Sequence, residues 1–566
     1  MSVETGLSKH TANGLNINTT YKSCKHLVQK MKEESIEESR RVWIRSTDKA
    51  TTTPVKGNVD GIIPQWLEGD LYRDGPGVLN IGDTWYHHIF DGMAVLHKFS
   101  IKGGETTYRS RILESDSYKK NSAANRIVVN EFGTRAYPDP CKTILQKFMS
   151  RFSLPDFEDT TDNCAVNVCF FGDQLFAMTE TNKMRRVSPD DLKTIGEKTN
   201  VTRYVAVNMA TAHPHVDPDG TVYNMGNSYT SAKGPTYNIV KFPPKKTLPN
   251  GEVLTPFDQA SVVASIPCRW KMKPCYYHSY SITDNYFILV EQPLGISLPK
   301  LLTGHYTKKS FMQSMEWLPK EKTRFRVVRR SDGVVVKTVY QADTFFTFHA
   351  INAYEEDGHL IVDLCCFDDG SVVNQIWLEN IVNPTEAFNK SLQAMPRRFV
   401  ALDVSQASVD RNLVALRDTK CQAFKLNTGA IQCVPEDLSP AWMEMPRINY
   451  RLNGKKYRYI YGFIPTVGIN CGTLCKVDTE SKEVLRWEGP GFQVSEPIFV
   501  ERPGATEEDD GVVLASLINE KINISLLPGQ VRLVVLDAKT SAARFGDLQD
   551  TRSRHQGVPR PLRQIP

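Results

Sequence analysis

The stretch Thr211–Ser228, TAHPHVDPDGTVYNMGNS, decides the fold. Two histidines, His213 and His215, stand one proline apart and lead into a strand–turn–strand pattern with Asp219-Gly220 at its tip. An Asp-Gly pair between short apolar runs is a strong hairpin signal, because glycine accepts the positive φ of the turn. Two further histidines repeat the arrangement. His278, in PCYYHSYSITDNYFILVEQP (274–293), precedes a turn at Thr283-Asp284-Asn285. His349, in TFFTFHAINAYEEDGHLIVDLCC (344–366), precedes one at Glu356-Asp357-Gly358. Each histidine is expected on a strand, shortly before a hairpin tip, and they are spaced by 65 and 71 residues.

Working outward, the same grammar continues along the chain. RNLVALRDT (411–419), YRYIYGFI (457–464), GVVLASLIN (511–519) and VRLVVLDAK (531–539) are short β-rich runs punctuated by turn pairs. Long amphipathic helices are scarce and no βαβ rhythm is present, so the expectation is an all-β chain, most economically a propeller. No WD or kelch repeat gives the blade number. The boundaries expected are a polar leader over 1–58, a β domain over 59–539 and an Arg/Pro-rich tail over 540–566, where five arginines face two aspartates.

Composition narrows the function. A net charge of +5 over 566 residues gives no basic footprint for nucleic acid. No apolar run reaches the roughly 18–20 residues needed to span a bilayer, and no secretory h-region opens the chain. Residues 1–30 hold four lysines, one acid and no arginine, a weak transit composition. The expected location is cytoplasmic, with membrane association, and mitochondrial as the alternative. Twelve cysteines, including the adjacent Cys365-Cys366 and the Cys471/Cys475 pair, read as reduced thiols rather than a disulfide framework.

Three histidines in equivalent places on successive hairpins can converge on one axis, where neutral imidazoles would ligate a first-row metal. The other reading is three separate core histidines. His215, held next to an extended His-Pro step, has no echo elsewhere and reads as scaffold. Imidazole ligands need acceptors that fix tautomer and orientation. Carboxylates in apolar strand-like settings are the candidates: Glu180 in LFAMTETNKM, Glu444 in AWMEMPRINY and Glu496 in VSEPIFV, whose alternative is an exposed strand-end charge.

The chain resembles the carotenoid cleavage oxygenase family. The matching stretches are LYRDGPG (71–77), YHHIFDGMAVLHKF (86–99), NEFGTRAYPDPCK (130–142), TETN (179–182), TAHPHVDPDG (211–220), YYHSY (276–280), FHAINAYEEDG (348–358), SEPIFV (495–500) and EEDDGVVL (507–514). The resemblance implies a seven-bladed β-propeller with an axial non-haem iron site and a cap of loops and short helices. It implies one Fe(II) per chain on His213, His278 and His349, backed by Glu180, Glu444 and Glu496. It implies oxidative cleavage of a polyene double bond in a carotenoid or apocarotenoid by O₂, giving apocarotenals or retinal. The alternative within the family is a retinoid isomerohydrolase acting on retinyl esters. His87, His88, His97 and the Phe90-Asp91-Gly92 triplet belong to a structural motif. Family members end on a strand whose Phe-His-Gly supplies a fourth ligand; here the resemblance stops after VVLDAK (534–539), and His555 is the one histidine beyond it. A non-catalytic carotenoid-binding chain is therefore a third reading.

A carotenoid enzyme should meet a membrane. In KTILQKFMSRFSL (142–154), Ile144, Leu145, Phe148, Met149 and Phe152 share a helical face beside Lys147 and Arg151, the pattern of an interfacial helix, with a buried helix as the alternative. Leu298–Leu302 is a second apolar patch, and Cys141 is expected to be an inert thiol.

Overall fold

The computed structural model describes residues 42–141, 160–229, 234–307, 309–402, 411–465, 472–489, 492–519, 531–540 and 549–550. Seven sheets, antiparallel but for one strand pair in the fourth, succeed one another along the chain and form a seven-bladed propeller, as expected. Blade 1 runs outward from Gly69–Val78 through Met93–Lys102 and Glu105–Ile112 to Val55–Asn58. Blades 2 and 3 start at Asn167–Phe171 and Met209–Ala210, blades 4 and 5 at Ser281–Ile282 and Phe346–Glu356. Blade 6 starts at Glu444–Arg447, and blade 7 at Phe492–Val494 with Ile498–Glu501.

The middle strands are covered on both faces by neighbouring blades, so they read as continuous apolar runs rather than alternating ones. His359–Phe367, HLIVDLCCF, is buried at every position. Its one carboxylate, Asp363, is satisfied by Arg398 Nε and Nη2 at 2.9 and 2.8 Å and by the Tyr457 hydroxyl at 2.7 Å, as a buried charge requires. Between blades 2 and 3 the filling is aromatic: Phe171 packs against Phe176, Phe242 and Phe257.

Two seams join the ring. Val55–Asn58 pairs with Glu105–Ile112 on one side, and on the other Gly57 and Asn58 pair with Asp550 and Gln549. Strands Gln422–Lys425 and Ile431–Val434 lie in sequence between the last two strands of blade 5, yet they extend blade 4: Ile431 and Gln432 pair in parallel with Tyr340 and Gln341.

The first expected boundary moves. Residues 42–58, assigned by sequence to the leader, lie in the folded body: Val42–Ile44 forms a 3-10 turn, Ile44 is 4% exposed, and Val55–Asn58 is a strand. The polar composition around Trp43 and Ile44 hid that anchor. The tail contributes the short strand Gln549–Asp550. Segment 142–154 and His555 lie outside the described residues. The patch at Leu298–Leu302 opens a helix, Leu298–Thr307, in which Leu301 packs on the core and Leu302 is exposed. Among the described residues no helix is long and apolar enough to cross a membrane, and the ten cysteines are free thiols.

Candidate metal centre

The three histidines meet. Their ligating nitrogens all lie within 4.8 Å of one another, and Nε2 of His213 is 2.8 Å from Nε2 of His278. Ring centroids are 4.4 Å apart for His213–His278, 4.8 Å for His278–His349 and 5.2 Å for His213–His349. Their backbone settings differ from expectation. Only His349 lies within a strand; His213 and His278 stand in irregular stretches just ahead of the pairing residues. His213 falls in the gap between Met209–Ala210 and His215–Val216, which both pair with Val222–Ser228, and His278 lies just ahead of Ser281–Ile282. His349 is aimed by two register shifts, between Thr347 and Ala350 and between Ala350 and Asn352, the way a β-bulge re-aims a side chain.

Two carboxylates set the tautomers. His278 Nδ1 is 2.5 Å from Glu180 Oε1, and that carboxylate also accepts the Tyr276 hydroxyl at 2.9 Å on Oε2. His349 Nδ1 is 2.5 Å from Glu444 Oε2, which also accepts the Met445 amide at 2.6 Å. A carboxylate at Nδ1 keeps the proton there and leaves Nε2 with its lone pair. Burial, then the proximity of His278 and His349, holds His213 well below the usual imidazole range, so His213 is neutral. The Thr211 hydroxyl ties the loop by donating to the His278 carbonyl. Three lone pairs converging at this distance repel one another unless a cation or proton lies between them. The donor set fits a divalent first-row metal.

Glu496 is placed differently. Its oxygens accept from Arg447 Nε at 2.7 Å and Arg73 Nη1 at 3.3 Å rather than from an imidazole. Burial would raise this carboxyl; Arg447 and then Arg73 outweigh it and hold it below the usual range. Tyr276, Arg73 and Arg447 are the site residues the sequence reading missed. Tyr276 was within reach of it, two positions before His278. Arg447 was not: three positions after Glu444, it belongs on the opposite face of a regular strand.

His215 is scaffold. Its Nε2 lies 3.0 Å from the Tyr280 carbonyl and Nδ1 3.2 Å from Asn453 Oδ1. The first histidine cluster is structural too. His88 Nε2 lies 3.0 Å from the Val373 carbonyl and His97 Nδ1 2.8 Å from the Tyr108 hydroxyl. Asp91 accepts from the amides of His88 and Gly133 and from the Thr134 hydroxyl. A Cβ on Gly133 would lie 2.6 Å from that of His88, which explains the glycine of NEFG docking on FDG. Burial pushes His87, His88 and His97 each down to about 4.

An aromatic path leads away from the histidines. Phe348 packs edge-on against His278 with centroids 5.4 Å apart, Phe90 is 6.0 Å from Phe348, and Phe132 links Phe90 to Phe311.

Residues 44–548 match the retinal pigment epithelial membrane protein family. The chain is 42% identical over 509 residues to the mitochondrial carotenoid-cleaving dioxygenase of Mustela putorius furo, covering 87% of this chain and 91% of that one. It is 40% identical over 506 residues to the β,β-carotene 15,15′-dioxygenase of Homo sapiens, covering 87% and 89%. A variant of the Synechocystis apocarotenoid oxygenase superposes with a TM-score of 0.69 at 23% identity, over 94% of this chain and 98% of that one, and carries the same fold. With the matched region spanning all seven blades, the chain belongs to the retinal pigment epithelial membrane protein family, that of the carotenoid cleavage oxygenases.

Proposed function

We propose that the chain is an iron(II)-dependent carotenoid dioxygenase: a polyene C=C and O₂ become two carbonyl groups. The observation that carries the metal reading is the trio His213, His278 and His349, with Glu180 and Glu444 on two of the outer nitrogens. The names of the curated relatives carry the choice of reaction, and favour oxygenase over isomerohydrolase. His213, His278 and His349 would hold iron(II), which would supply the activation of dioxygen. The protein does the rest. Glu180 and Glu444 keep the Nδ1 protons in place and the rings at fixed angles. Phe348, Phe90, Phe132 and Phe311 offer an apolar wall that a polyene can follow and water cannot wet. Glu496 is proposed as an outer carboxylate of the centre, acting through its two arginines. The location proposed is the mitochondrion, after the relatives' names, with the cytoplasm as the alternative; membrane contact through 142–154 belongs to the same proposal.

Aerobic incubation of the iron-loaded protein with β-carotene and with a retinyl ester, followed by chromatography, tests the reaction. Apocarotenals or retinal from the first substrate are expected; isomerised retinol from the second alone would reassign the chain. His349→Ala should abolish stoichiometric iron binding, since a labile Fe(II) is poorly held by the remaining pair, while His215→Ala should keep it. Full iron in the His349 variant would refute the centre.

A further inference from the structure

Arg447 reaches the metal centre through an irregularity in its strand. Glu444 pairs with Phe463 and Arg447 with Tyr461, so three steps along Glu444–Arg447 are matched by two on the partner strand. The extra residue, Met445, has φ +50°. This bulge puts residues i and i+3 on one face, where a regular strand would oppose them. Glu444 therefore reaches His349 while Arg447, from the same four-residue strand, reaches Glu496.

Glu180 and Glu444 each face an imidazole; Glu496 is held by both arginines. Across the bulge Arg447 shares a face with Glu444, the partner of His349. A fixed positive charge near the imidazoles opposes a divalent cation, and a carboxylate there favours it; away from bulk water such effects are weakly screened.

We propose that Arg447 is a positioning residue that sets how tightly the three-histidine centre holds a divalent cation, by engaging Glu496 and placing its own charge on the face of the Glu444–His349 pair. This rests on the reading of the trio as a metal centre. It makes the affinity of this chain for its metal lower than three imidazoles with three carboxylates would give.

The test is Co(II) binding to the metal-free protein, measured by chelator competition, an equilibrium readout independent of turnover. Arg447→Gln should tighten Co(II) about tenfold, Glu496→Gln should weaken it about tenfold, and Arg447→Lys, which keeps the charge, should stay within about threefold of the parent. If the ion pair is only structural, all three variants weaken binding together, and that result overturns the proposal. Circular dichroism of each metal-free variant checks folding, and Arg447→Met replaces Arg447→Gln if the latter does not fold. If the parent takes up no Co(II), or His349→Ala binds it as well as the parent, the metal-centre reading itself fails and the proposal falls with it.

Discussion

At the scale of the residue, the centre depends on hydrogen bonds one atom removed from any ligand. Glu444 accepts from His349 Nδ1 and from the Met445 amide on one oxygen, while Oε1 is buried without a partner. Glu444→Gln keeps the shape but loses the charge, and its NH₂ faces donors if that end turns inward. Metal affinity should fall roughly 10–100-fold with the fold intact; unchanged affinity by chelator competition would remove Glu444 from the centre. His97 gives a pH prediction. Its native pKa of about 4 lies below the usual imidazole value, so between those limits the unfolded chain binds a proton that the native one does not, and stability is lost as pH falls. Asp74, Asp91 and Glu131, raised by burial, titrate in the opposite sense, so the measurement must be a difference. Urea unfolding of the metal-free parent and of His97→Phe at pH 7, 6 and 5 should show the gap moving toward the variant by about 1 kcal/mol per pH unit below about 6.5. A constant gap would mean that His97 charges equally in both states.

At the scale of the element, the contrast lies between regular strands and the places where they break. Strands such as Gly511–Asn519 and Val531–Asp537 were legible, because alternation, β-branched residues and flanking turns agree. The three histidines and three glutamates were legible as candidates, because polar groups in apolar surroundings stand out. Their settings were not. His213 and His278 were expected on strands, but His213 falls in an interruption between two short pairings and His278 just ahead of one. Arg447 was hidden because a bulge depends on Met445 taking a positive φ, and methionine carries no signal for it. The blade number was not legible from the residues alone, since each blade differs in strand length and insertion. The bulge itself is testable. Met445→Gly should keep stability within about 1 kcal/mol of the parent or improve it, and Met445→Ile should cost about 1–3 kcal/mol, since a β-branched side chain resists this conformation. Co(II) affinity of the Ile variant should drop in parallel. Equal urea midpoints for Ile and Gly would mean that the bulge is not under conformational demand.

At the scale of the whole molecule, a propeller is a ring, and a ring has a weakest join. At blade 1 two residue pairs, Gly57–Asp550 and Asn58–Gln549, connect the first and last described strands. Between blades 4 and 5 the excursion through Gln422–Val434 covers the outer edge of Tyr340–Ala342 and returns to blade 5 at Glu436. Hydrogen exchange should therefore show Tyr340 to Ala342 protected to the level of Met395–Leu402, while Val55–Asn58 exchanges orders of magnitude faster. Similar rates for the two outer strands would show that the stitch adds nothing. His278 precedes the first strand of blade 4, and His349 lies on the first strand of blade 5. The stitch therefore acts as a lock across the half of the ring that carries two of the three imidazoles, and the blade 1 join acts as a latch. Breathing of the ring is therefore expected at the latch, with the distance between His278 and His349 held by the lock.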